Sequence, residues 1–309
     1  MSPIPLAIVG VGKIARDAHI PALAKSGQFE LAAVVSRHGP AGGAPAFATI
    51  SDMAAAMPQV RAVSICTPPI GRLELVKEAL SHGLDVMIEK PPAATISEAE
   101  RFAAMAHASG RTLYATWHSR EAAGVRPARE WLRHRSVQRV AVAWKEDVRV
   151  WHPGQEWIWE PGVGIFDPGV NALSVLTAIL PGALLLRRSE LRFPENRAAP
   201  IAASLAYSLE GGAAVEVELD FDQRGPQTWD IEVQTDDARL TLTLGGSKLS
   251  IDGEAISVDE QPEYDGLYRR FAELLERGES DVDLSPFRHV ADAFLLARRV
   301  TVGPFSWSG

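Results

Sequence analysis

The sequence predicts an α/β protein in which a doubly wound parallel sheet comes first and an α/β region with mainly antiparallel strands follows. Three observations carry this. Short apolar runs at 6–9, 31–35, 62–66, 85–88 and 112–116 alternate with helical periodicity, the pattern of strands joined by crossover helices. Beyond residue 200 the period changes to two: Val215, Val217, Leu219 and Phe221 interleave with Glu216, Glu218, Asp220 and Asp222, as in an antiparallel strand with one buried face. A chain of 309 residues is also long enough for two cores, since single cores rarely grow past about 250 to 300 residues. The expected domains are 1–120 and 121–309.

Composition narrows the class. With 46% hydrophobic and 23% charged residues the chain is an ordinary globular one, and disorder is not indicated. A net charge of -8 argues against nucleic acid or an anionic membrane as partner. Cys66 is the only cysteine, which excludes an intrachain disulfide and a thiolate-rich metal site and fits a reducing compartment. Residues 1–5 lack a basic n-region, and Leu6–Val9 is too short for a signal or a membrane span, so a cytoplasmic location is expected.

Leu6–Val9 reads as a strand running directly into Gly10-Val11-Gly12-Lys13-Ile14-Ala15, which matches G-x-G-x-x-A. Gly10 permits the tight turn, Gly12 lets a pyrophosphate approach the backbone, and Ala15 lets the next helix pack on the strand. Strand, fingerprint and helix together predict a dinucleotide site that includes Lys13 and Ile14. The next strand, Leu31–Val35, ends in Ser36-Arg37-His38 instead of the acidic residue that would hold an NAD ribose. A hydroxyl followed by a guanidinium suits a 2′-phosphate, so NADP is expected to be used at least as well as NAD; the plainer reading leaves Arg37 in solvent.

Ala62–Cys66 is a third strand, and Thr67-Pro68-Pro69 follows it at the edge where cofactor binds, with Cys66 counted among the cofactor residues. Arg72–His82 has helical spacing, with Leu73, Val76, Ala79 and Leu80 on one side. The strand Asp85–Ile88 then delivers Glu89 and Lys90 to the carboxyl edge of the sheet, where Pro91 ends the pairing and holds Lys90 extended. Ser97-Glu98-Ala99-Glu100 reads as a capping box for a helix running to about Ser109 and ended by Gly110, before a strand at 112–116.

After Arg120 a tryptophan-rich stretch, Trp144 to Trp159, precedes Gly162–Asn171, and the apolar residues after Asn171 read as a helix to Leu180. The four carboxylates at 216–222 are expected on a solvated sheet face or at an oligomer contact, because alternate strand residues diverge too far for a compact cation site. Gly245-Gly246 and Asp252-Gly253 mark hairpin turns. Two helices are expected to close the chain, the last with Ser285 as N-cap, Pro286 at its first position, and Val290, Ala291, Phe294 and Leu295 as its buried stripe.

The fingerprint Gly10–Ala15, Thr67-Pro68-Pro69, Glu89-Lys90-Pro91 and Asp167-Pro168-Gly169-Val170-Asn171 stand in the order and spacing of the glucose-fructose oxidoreductase/inositol dehydrogenase (Gfo/Idh/MocA) family, which the chain resembles over nearly its whole length. Within it, Trp117-His118-Ser119-Arg120, Trp144–Arg149, Trp151–Gln155, Asp220–Gln223 and Pro226–Asp230 resemble the bacterial branch that oxidises D-galactose or L-arabinose at C1. The resemblance implies a Rossmann domain followed by an α/β domain whose open sheet serves in homo-oligomerisation. It also assigns the family's catalytic lysine to Lys90. Asp167 matches the aspartate of the family's D-x-G-x-H, but Asn171 occupies the histidine position.

The implied reaction takes a hydride from C1 of a galacto-configured aldopyranose to the nicotinamide of NADP or NAD, and only removal of the anomeric proton needs a protein base. Asp167 is the expected base and Lys90 its electrostatic partner, with the roles exchanged if burial lowers the lysine pKa enough. His118, Glu146, Trp151, His152 and Asn171 are the expected sugar contacts; His118 and Glu89 also count among the cofactor residues. Trp157 and Trp159 join Trp151 as candidates for an apolar sugar face, with core packing as the default. No close-spaced ligand pair stands among His118, Glu146, His152 and Asp167, and a nicotinamide already accepts the hydride, so no metal is expected. Two other classes remain: an oxidoreductase acting on a cyclitol or keto-sugar, and a regulator that binds nucleotide and sugar without turnover.

Overall fold

The computed structural model describes residues 2–308. Its two compact units are the chain up to Glu121 together with Gln261–Leu284, and Ala122–Glu260 together with the chain from Ser285. One segment thus departs from the expected division at 120: helix Glu263–Arg277 belongs to the first unit. Its buried face, Leu267, Tyr268, Phe271 and Leu274, joins the cluster built on Leu6, Ile8 and Phe29. Phe29 and Phe271 stack with centroids 5.5 Å apart. Burying these apolar side chains stabilises that placement by roughly 1.5–3 kcal/mol each, and nothing local in the sequence indicates the partner.

The first sheet is wholly parallel. Its strands are β1 (Ile4–Val9), β2 (Phe29–Val35), β3 (Ala46–Phe47), β4 (Ala62–Ile65), β5 (Asp85–Ile88) and β6 (Leu113–Ala115), in the spatial order β3-β2-β1-β4-β5-β6. The order reverses at β1, so the chain leaves β1 and β4 in opposite directions and opens a crevice at their carboxyl ends. β1, β4 and β5 end in fully buried runs, as strands covered on both faces must. The helix after β5 runs Ile96–Ser109 and ends on Gly110 at φ 63°. Its N-cap is Thr95 and not the expected Ser97: Thr95 Oγ1 accepts from Glu98 N–H at 3.2 Å, while Glu98 Oε2 accepts from Ala94 N–H at 3.1 Å. The box Thr-x-x-Glu begins two residues earlier because Thr95, in extended geometry, is the last non-helical residue.

The second unit is a nine-stranded sheet with helices on one face. Its strands are β7 (Val137–Lys145), β8 (Leu184–Pro194), β9 (Ala202–Leu209), β10 (Ala214–Asp220), β11 (Thr228–Thr235), β12 (Arg239–Thr243), β13 (Lys248–Ile251), β14 (Glu254–Ile256) and β15 (Ala297–Val302), in the order β14-β13-β12-β11-β7-β10-β9-β8-β15. β10 alternates as its sequence predicts, Val215, Val217 and Leu219 buried and Glu216 and Glu218 exposed. It is antiparallel only to β9; on its other side it runs parallel to β7. β15 likewise adds a parallel edge strand beside β8, so the chain closes on a strand after the two expected helices. The last helix, Ser285–Leu295, buries Pro286, Val290 and Ala293. That stripe corrects the expected one, because residues 286, 290 and 293 share a face at helical spacing, whereas Leu295 is 87% exposed.

The helix over the Asp167 motif begins at Phe166, not after Asn171 as expected, and runs to Ile179. It lies so close to β10 that a Cβ on Gly169 would stand 2.6 Å from Leu219 Cδ1. Asp167 and Asn171 therefore occupy one helix face, four residues apart.

Candidate active site

In the first unit four sequence motifs meet at the carboxyl edge of one sheet. Main-chain hydrogen bonds carry the parallel register past the strand ends: Gly10 N–H to Val35 O (2.9 Å), Cys66 N–H to Val9 O (2.8 Å) and Glu89 N–H to Ile65 O (3.1 Å). Gly10 has φ +89°, and a Cβ there would stand 2.7 Å from Thr67 Cγ2 and 3.0 Å from Thr67 N. A side chain at Gly12 would meet nothing within 4 Å. Ala15 is fully buried. Thr67 Oγ1 is buried with no hydrogen-bond partner among the described residues. A closed turn, an open space above Gly12, a helix start and an unsatisfied hydroxyl fit a dinucleotide: the backbone of 10–15 would hold its phosphates, and Thr67 would supply a polar contact.

Around this cradle Lys13 and Asp17 form an exposed pair one helical turn apart. Ile14 is 37% exposed. Ser36 Oγ accepts from His38 N–H at 3.0 Å, and Arg37 is exposed. Pro68 is exposed and Pro69 half-buried, while the Cys66 thiol lies inside, donating to Ser64 O at 3.7 Å.

Behind Lys90 lies a buried polar network that the sequence did not announce. Glu89, expected as a cofactor contact, turns its carboxylate inward and is only 4% exposed. Its Oε1 meets His19 Nε2 at 3.0 Å and accepts from Tyr264 OH at 2.8 Å, and its Oε2 accepts from Lys90 N–H at 2.8 Å. His19 Nδ1 meets Tyr268 OH at 2.7 Å, which in turn meets Ser64 Oγ at 3.2 Å. Burial pushes the Glu89 carboxyl up, but the hydrogen bond and charge of His19, with His118 and Tyr264, outweigh it and hold its pKa at about 2. Burial pulls the His19 imidazole down, and Cys66, Tyr268 and Glu89 together reverse that, leaving its pKa well above the ordinary value.

Arg72 is a second unannounced element, 2% exposed. It donates to Thr67 O through Nε at 3.1 Å and to Pro91 O at 2.5 Å, and it also bonds Glu89 O. One guanidinium thus ties the turn after β4 to the end of β5, on both sides of Lys90. Burial pulls its pKa down to about 10, with the Glu89 carboxylate opposing, so it stays cationic at neutral pH. His118, in the short turn after β6, is held at Nδ1 by Glu263 Oε2 (2.5 Å) and stacks on Tyr264 with centroids 5.6 Å apart.

In the second unit the expected sugar residues Glu146, Trp151 and His152 gather where β7 and β10 end and β11 begins, with Asp167 beside His152. Glu146 is 5% exposed; its N–H donates to Asp220 O at 2.8 Å, and its Oε2 accepts from Trp229 Nε1 at 2.9 Å. Trp229 lies between Trp144 and Trp151, with centroid distances of 6.1 and 5.2 Å. His152 Nε2 stands 3.2 Å from Asp167 Oδ2, and its ring meets Trp157 and Phe221 edge-on. Trp151 is 40% exposed and Trp157 43%, whereas Trp159 is 4% exposed and packs on Phe305 as core. Among the described residues no group of three or more His, Cys, Asp or Glu side chains is arranged to hold a metal ion, and no helix is long and apolar enough to cross a membrane.

Residues 4–116 match the model of an oxidoreductase family with an NAD-binding Rossmann fold, designated GFO_IDH_MocA. Over 309 residues, 99% of each chain, the sequence is 43% identical to galactose 1-dehydrogenase of Pseudomonas fluorescens. The chain belongs to the Gfo/Idh/MocA oxidoreductase family. Among solved structures, a D-galactose-1-dehydrogenase protein from Rhizobium etli superposes with a TM-score of 0.95 at 50% identity, covering 99% of both chains. A 3-ketoreductase from Actinomadura kijaniata in complex with NADP and TDP-benzene shares the fold at 19% identity, with a TM-score of 0.83 over 97% of this chain and 99% of that one.

The expected site residues therefore sit in two groups: Gly10, Gly12, Ser36, Arg37, Thr67 and Lys90 at the edge of the parallel sheet, and Glu146, Trp151, His152, Asp167 and Asn171 in the second unit. Asn171 stands where the resemblance led to the expectation of a histidine, and an imidazole meets the aspartate from His152 instead. Sequence reasoning singled out His152 but not this partner, which comes from another element. His19, Arg72, Tyr264 and Tyr268 were missed altogether. Their only signal was polarity within apolar helical stripes.

Proposed function

We propose that this Gfo/Idh/MocA protein is a cytoplasmic NAD(P)-dependent aldose 1-dehydrogenase that oxidises galacto-configured aldopyranoses, D-galactose first, to the 1,5-lactone. The observation that carries this is the full-length likeness to galactose 1-dehydrogenase. A bound nicotinamide would accept the hydride from C1. Asp167 takes the anomeric proton: a carboxylate is acceptor-only, and His152 at its Oδ2 fixes its direction and steadies its charge. Lys90 stabilises the negative charge that grows on O1, its main chain held by Glu89 and by Pro91. Asn171, one turn from Asp167, both donates and accepts, as a sugar hydroxyl requires. Glu146, Trp151 and His118 complete the sugar contacts. Arg37 reads a 2′-phosphate, which makes NADP at least as good a substrate as NAD. Copies of the chain associate through the helix-free face of the nine-stranded sheet.

L-Arabinose lacks only the exocyclic carbon of D-galactose, and D-fucose lacks only the hydroxyl on it, so both are substrates on this reading. D-Glucose reverses one ring hydroxyl and leaves a buried polar group without its partner, which makes it clearly poorer. The test follows reduced-nicotinamide absorbance with galactose, arabinose, fucose, glucose and inositol against both cofactors, with a chelator control. The highest kcat/KM for galactose, unaffected by chelator, is expected. A higher value for glucose or inositol overturns the substrate, and cofactor binding without turnover of any sugar would point to a regulator.

A further inference from the structure

The network behind Lys90 joins three distant parts of the first unit. His19 lies in a π-turn, Ala15–His19, of the helix that opens from the glycine fingerprint. Glu89 ends β5, and Tyr264 and Tyr268 come from the helix Glu263–Arg277. His19 and Tyr268 are each 1% exposed and Ser64 is fully buried, so none of them is available to a ligand directly. Every polar atom along the path is nonetheless paired, and one carboxylate oxygen at its end receives the N–H of the residue assigned to the chemistry. Removing either partner of such a buried pair would strand the other charge away from water, so the two groups hold each other in place.

We propose that His19 and Glu89 are a positioning couple for Lys90: the imidazole on the phosphate-binding helix holds the Glu89 carboxylate, and that carboxylate holds the backbone from which the lysine projects. The inference rests on the role given to Lys90 above. The two oxygens of Glu89 divide the labour. Oε1 is clamped between His19 Nε2 and Tyr264 OH, so the carboxyl plane cannot rotate, and Oε2 is thereby aimed at Lys90 N–H. Arg72 holds the carbonyls of Glu89 and Pro91, on either side of Lys90, and removes the remaining freedom of that segment. The π-turn serves the same end. It places His19 beside the end of β5 while the helix start stays at Gly12, and Pro21 two residues on lacks the N–H that would otherwise favour a regular α-turn.

The test is a double-mutant cycle between Glu89→Gln and Lys90→Ala in the full chain, reading kcat and both KM values with D-galactose and NADP. Glu89→Gln is expected to lower kcat roughly ten- to a hundredfold, the range for a displacement of about 1 Å, with both KM values within about threefold. In the Lys90→Ala background the same change should cost less than about twofold, because there is no longer a lysine to position. A purely structural role predicts the same factor in both backgrounds, and that result overturns the proposal. Because Glu89→Gln risks misfolding, Tyr264→Phe is measured beside it. It removes one hydrogen bond to Oε1 and should show a smaller fall in kcat with the same non-additivity. Among changes at His19, Gln retains an amide donor towards Glu89 and should keep more turnover than Leu; equal losses overturn the proposal. If Lys90→Ala itself turns over normally, the role of Lys90 is what fails, and this inference with it. A slow Lys90→Ala beside a normal Glu89→Gln fails the couple alone.

Discussion

Alanine at Gly12 and alanine at Gly10 should separate cofactor binding from folding, although the two residues are neighbours in one fingerprint. Gly12 is absent from the positions with positive φ, and a Cβ on it would meet nothing within 4 Å. Gly12→Ala should therefore leave stability unchanged or raise it by about 0.4–1 kcal/mol, the usual gain where the backbone already suits alanine. Its methyl would occupy the space that a pyrophosphate needs. Losing one charge-assisted contact to the backbone costs roughly 1.5–3 kcal/mol, which weakens NADP about ten- to 150-fold. Gly10→Ala should do the reverse. Its left-handed φ of +89° costs about 1–2 kcal/mol with a Cβ. Overpacking against Thr67 adds about 1–3, for a total of about 2–5 kcal/mol of lost stability. Urea unfolding reads the second effect, and titration of the protein's fluorescence with NADP reads the first, neither needing a sugar. If Gly12→Ala binds NADP as the parent does, the phosphates do not lie over this turn. If Gly10→Ala is as stable as the parent, the approach of Thr67 is not tight.

Arg37→Ala should weaken NADP by about 1.5–3 kcal/mol and leave NAD unchanged, as measured by kcat/KM for each cofactor; equal losses remove the 2′-phosphate role. Lys90→Ala and Asp167→Asn should each lower kcat at least about a hundredfold, and near-normal turnover in either refutes its assignment. Stability should respond to pH through the His19–Glu89 couple. Because the Glu89 carboxyl is depressed from 4.5 to about 2, its contribution is complete above about pH 4.5 and is lost as pH falls towards 2. The raised His19 pKa has the opposite sign: its contribution is complete below about pH 6.5 and is lost as pH rises through the folded value. The drop in Tm between pH 5.5 and pH 3 should therefore be smaller in Glu89→Gln than in the parent, and equal drops would mean that the carboxylate gains nothing from its partners.

What the sequence by itself determined is local. Strand, turn and helix start are set within a few residues of one another by apolar runs, by Gly10 and by Ala15. That was enough to place Ser36, Thr67 and Lys90 at strand ends and hence on one edge of a parallel sheet. The alternation of Val215 to Leu219 likewise fixed which face of β10 is buried. It did not fix the neighbours, because a strand's period is the same whether its partner runs parallel or antiparallel, and only assembly showed β7 beside it in parallel. Helix ends were legible only to within one or two turns: the cap moved two residues from Ser97 to Thr95, and the helix carrying Asp167 began at Phe166 and not beyond Asn171. Contacts between distant segments were out of reach. His19 meets Tyr268 and Glu89, Arg72 spans the ends of β4 and β5, and His152 supplies Asp167 with the imidazole that position 171 lacks. Each of these partnerships depends on where a side chain stands in space after the chain has closed, and hydrophobic periodicity encodes only which face of an element turns inward.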